Sequence, residues 1–112
     1  MKLLLASILI AAALPLVAAA ETWSNAPLVD QNCSAKFNLK DADTHTRSCA
    51  LGCASSGFGI LTSNGTFLKL DDAGSKKALA ALKASNKSDH LRATVTGEVA
   101  NGAIKVQSLK LD

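Results

Sequence analysis

The sequence contains no tyrosine, one tryptophan and three phenylalanines among 112 residues. Proteins that hold single-stranded nucleic acid need aromatic faces for base stacking and a basic groove for the backbone. Here the few rings are needed for a core, and the charge is close to balanced. Without Lys2, eleven Lys and Arg face nine Asp and Glu, a net +2 with the lysines scattered. Nucleic acid is therefore not an expected partner, and no basic patch calls for anionic lipid. Beyond residue 20 no run is apolar enough to span a bilayer. A Gly-rich phosphate loop, a nucleophile elbow and a Ser-His-Asp arrangement are all missing. With no acid, base and nucleophile converging in the sequence, an enzyme is not expected. Cysteine is scarce as well: there are three, an odd number that cannot all pair within one chain.

What is present begins with a leader. Residues 1–20, MKLLLASILIAAALPLVAAA, combine Lys2, an apolar stretch and a small-residue end, with Ala18-Ala19-Ala20 as an A-x-A cleavage site. This predicts a signal peptide at 1–20 and a single exported domain at 21–112, periplasmic or secreted, in an oxidising compartment. About ninety residues make one small domain of marginal core size, which a cross-link or a bound metal would help.

The pattern along 21–112 predicts mostly strands. TWSNAPLVD (22–30) reads as a first strand anchored by Trp23. Residues 31–56 are polar, hold every cysteine and His45, and read as a long connection. In FGILTSNGTFLKLD (58–71) two apolar runs flank Asn64-Gly65, a hairpin turn pair. DDAGSKKALAALKASNKSD (71–89) reads as a helix of about three turns, capped by Asp72 or Ser75, with a thin stripe of Ala78, Leu79 and Leu82. LRATVTGEVANGAIKVQSLKLD (91–112) alternates with period two around the turn pair Asn101-Gly102, and a bulge near Gln107-Ser108 brings Leu109 and Leu111 into phase. Five strands with one short helix between the third and fourth is the element order of an OB-like β-barrel, whose helix covers one end. The long Cys/His connection then lies between strands one and two, a loop that commonly borders the binding face.

His45, Cys49 and Cys53 are spaced by four, and Cys33 lies upstream. If 44–54 is helical, the three share one face. Cys33 then completes a Cys3His set that suits zinc, or copper(I) through its thiolates. A structural disulfide from Cys33 to Cys49 or Cys53 is the competing reading, closing a loop of roughly fifteen to twenty residues and leaving one thiol. Asp30, Asp41 and Asp43 are possible further metal ligands, or simply solvated loop residues. His90 reads as a surface histidine. The domain is thus expected either to bind zinc or copper through Cys33, His45, Cys49 and Cys53, or to be a disulfide-stapled module meeting a small ligand or an envelope protein.

Several of these features recur together: Trp23 in the first strand, Asp30 through Cys33 as Asp-x-x-Cys, His45, Cys49 and Cys53, Gly57, Val95-Thr96-Gly97, and Ile104 through Leu109. In this combination, which covers nearly all of 21–112, the chain resembles a group of small exported bacterial domains of unassigned function. The resemblance implies a secreted OB-like barrel with a Cys/His loop, and it implies no activity.

Overall fold

The computed structural model describes residues 19–112. The expected signal peptide, 1–20, lies outside them except for Ala19 and Ala20. Five strands form a closed barrel: β1 (Glu21–Asp30), β2 (Phe58–Leu61), β3 (Phe67–Leu70), β4 (Arg92–Ala100) and β5 (Ala103–Leu111). Their order around the barrel is β1-β2-β3-β5-β4, with β1 pairing back onto β4. All neighbours are antiparallel except β3 and β5, which meet in a short parallel register at Lys69↔Ala103 and Leu70↔Ile104. The expected five-stranded OB-like barrel is what this chain forms. No helix among the described residues is long and apolar enough to cross a membrane.

The turns follow from local chemistry. Asn101 and Gly102 both adopt positive φ (55° and 74°), the conformation a tight β4–β5 hairpin requires. At the β2–β3 turn only Gly65 does so (φ 82°), and the connection is the wider one over 62–66, closed by Thr62 N–H to the Thr66 carbonyl at 2.9 Å. In the last hairpin Thr96 faces Ser108 and Gly97 faces Val106, so Gln107 is the extra residue of a bulge. That bulge restores the phase of Leu109 and Leu111, which pack against the core. A second irregularity falls in β1 between Trp23 and Ala26, where Asn25 takes φ 51°.

Helix α2 (Asp72–Ala84) lies between β3 and β4 in the chain. It is capped one residue earlier than expected: Asp71 Oδ1 accepts the Gly74 N–H at 2.9 Å. Its buried stripe is Gly74, Ala78 and Leu82. Gly74 permits close approach to β5, because a Cβ there would collide with the Val106 side chain. Leu28, Phe58, Ile60, Leu70, Leu82, Leu91, Val95 and Ile104 form the barrel core, each almost wholly removed from water. Full burial of such side chains contributes about 1.5–3 kcal/mol apiece before the entropy of ordering is counted.

The segment 31–56 differs from the irregular loop expected. It folds into 3-10 turns at Gln31–Lys36, Ala42–Thr44 and Ala54–Ser56, with a short helix α1 at Arg47–Gly52. It also builds a small second core on the outer face of the barrel, where Val29, Ala42 and Leu61 are buried with Cys33, Phe37 and Phe67 against them. This is why all four residues of β2 are buried rather than alternate ones. Polar ties hold the segment in place. Arg47 reaches the carbonyls of Leu82 and Lys83 at the end of α2 (2.6 and 3.2 Å). Asp43 receives a bidentate pair from Arg92 on β4, both at 2.9 Å. The Arg92 guanidinium hydrogen-bonds Asp43 and draws its carboxyl below the usual carboxylate range.

Candidate metal centre

The centre is assembled by two capping motifs of the same form. Asp30 ends β1, and its Oδ2 accepts the Cys33 N–H at 3.0 Å, capping the 3-10 turn that follows. Thr46 Oγ1 accepts the Cys49 N–H at 3.2 Å and caps α1 in the same way. The Asp-x-x-Cys spacing is thus a cap that sets Cys33 beside a carboxylate.

The return of the chain brings in Cys53. Its N–H bonds to the Cys49 carbonyl at 3.2 Å, and its backbone leaves the helix at φ −108°, ψ 17°. Ser56 then joins the two ends of the segment: its Oγ donates to the Cys53 carbonyl at 2.8 Å and accepts the Asn32 N–H at 3.2 Å. Gln31 N–H bonds to the Gly57 carbonyl at 2.9 Å alongside. One donor atom each from Asp30, Cys33 and Cys53 consequently lies within 4.8 Å of the other two. Asp30 is buried and both cysteines are half-buried. All three cysteines are free, with no sulfur pair at bonding distance.

The geometry redistributes the residues singled out by sequence. Cys33 and Cys53 meet. His45 and Cys49 are not among the three groups that converge with them. The reason is the Thr46 cap: α1 begins at Arg47, so His45 stands before it in extended backbone (φ −68°, ψ 122°) and off the helical face. His45 instead turns inward and donates from Nε2 to Asp30 Oδ1 at 2.7 Å. The pair is buried, at 2% and 0% exposure. The imidazole also packs against Phe37, ring centroids 4.7 Å apart. Cys49 lies on the exposed side of α1. Asp30, which sequence placed only among several loop carboxylates, takes the central position, while Asp43 is committed to Arg92. The surface reading of His90 holds: it is exposed and pairs with Asp89.

Each oxygen of Asp30 is therefore held in place, Oδ1 by His45 and Oδ2 by the Cys33 amide. Burial pushes the Cys33 thiol up to about 11, and hydrogen bonding to Asp30 with the negative charges of Asp30 and Cys53 adds to the rise. Three groups that are anionic when ionised share a space where each opposes the others' charge. A bound cation reverses that balance, because it stabilises thiolates that are otherwise unfavourable.

The largest other hollow, about 350 Å³, lies beside Trp23, Pro27, Leu39 and Thr62. Its charged side chain, Arg92, is already engaged by Asp43 and the Asn25 carbonyl. Comparison with protein-family models, with curated proteins and with solved structures finds no match for this chain. The class is therefore defined by fold and geometry: a small closed β-barrel carrying an Asp/Cys/Cys cluster on the segment between its first two strands.

Proposed function

We propose that this chain is an exported, non-enzymatic domain that holds a soft metal ion, zinc or copper, between Asp30, Cys33 and Cys53. The observation that carries the reading is the convergence of these three donor atoms within 4.8 Å of one another. Tetrahedral zinc with Zn–S bonds near 2.3 Å sets its ligand atoms about 3.8 Å apart, so side-chain movements of roughly 1 Å suffice to close the set. Paired thiolates favour zinc or copper(I), and the carboxylate favours zinc between these. His45 takes the supporting role: by holding Asp30 Oδ1 it orients the carboxylate, as outer-shell partners of metal ligands do. The fourth position is left to a solvent molecule or an incoming ligand, which suits storage or delivery. Native mass spectrometry with metal analysis, on reduced protein purified from the periplasm, tests this. One zinc or copper per chain is expected, lost in Cys33→Ser and in Cys53→Ser and kept in Cys49→Ser. Folded, reduced protein that takes up neither ion at micromolar concentration defeats the proposal.

The nearness of the Cys33 and Cys53 sulfurs also favours a second reading, a disulfide-stapled envelope module without metal. A Cys33–Cys53 bond would close a loop of about twenty residues and contribute about 3 kcal/mol. Its signature is a protein two hydrogens light, with one alkylatable thiol at Cys49 and no metal in either redox state.

A further inference from the structure

Resting on the metal-binding reading, we infer that the centre is redox-gated: a Cys33–Cys53 disulfide and a bound metal ion are two alternative states of the same site. The two readings above draw on the same pair of sulfurs, and those sulfurs cannot do both things at once. A disulfide presents no thiolate, so oxidation strips two of the three donors from the ion and leaves a single carboxylate. The exchange partner is a low-molecular-weight disulfide. In the step, the metal-bound thiolates of Cys33 and Cys53 lose two electrons in all and form one S–S bond. The attacking disulfide gains those electrons, takes two protons from solvent and leaves as two thiols. Zinc departs as the divalent ion with its oxidation state unchanged. A dithiol reductant reverses the step by the same exchange chemistry.

Three features fit the site to both states. The sulfurs are half-buried, so a small disulfide can reach them. Asp30 keeps His45 and the Cys33 amide as partners when the ion leaves, so the emptied site strands no buried carboxylate. The third thiol, Cys49, is exposed and outside the cluster, so the odd cysteine is a bystander to both states. Both cysteines stand on capped turns held by the Ser56 links, which keep them near each other without a covalent bond.

The experiment loads reduced full-length mature protein with zinc and confirms uptake by native mass. It then titrates oxidised glutathione while a chromogenic chelator reports free zinc and peptide mapping reports the disulfide. Release of one zinc for each Cys33–Cys53 bond formed is expected, with recovery after reduction by dithiothreitol and the same behaviour in Cys49→Ser. Protein that carries the Cys33–Cys53 bond and still retains zinc overturns the gating while leaving the metal site standing. So does oxidation that goes only to glutathione adducts on Cys49 with zinc still bound. Reduced protein that takes up no zinc overturns the metal reading and the gating together, and copper uptake in its place is read by repeating the titration with copper(I).

Discussion

Replacing His45 with alanine discriminates most sharply between the helical-face picture and the observed geometry. On a helical face with Cys49 and Cys53, His45 would be a solvent-facing ligand, and its loss would alter stability by less than about 0.5 kcal/mol. In the structure its Nε2 is 2.7 Å from Asp30 Oδ1, and both side chains are sequestered from water. His45→Ala leaves that oxygen buried without its partner, and breaking one side of a buried charged pair costs about 3–5 kcal/mol. The packing against Phe37 is lost as well. A domain of about ninety residues has only roughly 5–14 kcal/mol of total stability, so the loss is a large fraction of the whole. Urea unfolding of the metal-free, reduced protein reads it. With a slope near 1–1.5 kcal/mol per molar, a loss of about 3 kcal/mol lowers the midpoint by roughly 2–3 M. His45→Gln, whose amide can still donate, is expected to lose less. A midpoint for His45→Ala within about 0.5 M of the parent, measured beside Cys49→Ser as the surface control, refutes the buried-pair argument.

Zinc binding should weaken as pH falls, because the ion displaces the proton of Cys33, a thiol raised to about 11; competition titrations at neutral and mildly acidic pH are expected to show at least about a tenfold loss of affinity per unit. The Asp43–Arg92 pair adds stability that is present above the ordinary carboxylate range and lost as pH falls through the lowered folded value. Asp43→Asn should therefore cost about 1 kcal/mol at pH 7 and much less at pH 2–3, read from paired denaturation curves. Gly74→Ala raises helix propensity by about 1 kcal/mol. The new Cβ nevertheless collides with Val106 and sits 2.9 Å from Asp71 Oδ1, so a net loss of about 1–3 kcal/mol and a lower Tm are expected.

The barrel was legible because its signals are local. Period-two alternation in 91–99, the Asn101-Gly102 turn and the out-of-phase Leu109 and Leu111 each constrain backbone within a few residues. Together they lead to the hairpin and to the bulge at Gln107. The centre was only half legible. Cys33 and Cys53 were among the candidates, but a four-residue spacing was read as one helical face, and the Thr46 cap that starts the helix after His45 went unweighed. A Ser or Thr standing just before a short helical stretch is the signal that exposes such a start. Asp30 carried a comparable signal, since Asp-x-x-Cys has the form of a cap.

By itself the sequence determined the strand order, the turn positions, the place of α2 and the thiol-rich segment between the first two strands. Those outcomes follow from side-chain period and turn chemistry, which act over short stretches of chain. Tertiary structure decided which side chains face one another. It set Asp30 between His45 and Cys33, brought Cys53 back through Ser56, and left Cys49 in solvent. The physical reason is that residues distant in the chain meet only through packing. The second core of Val29, Ala42 and Leu61 presses the segment onto the barrel, and the buried Asp30–His45 pair fixes its inner turn there.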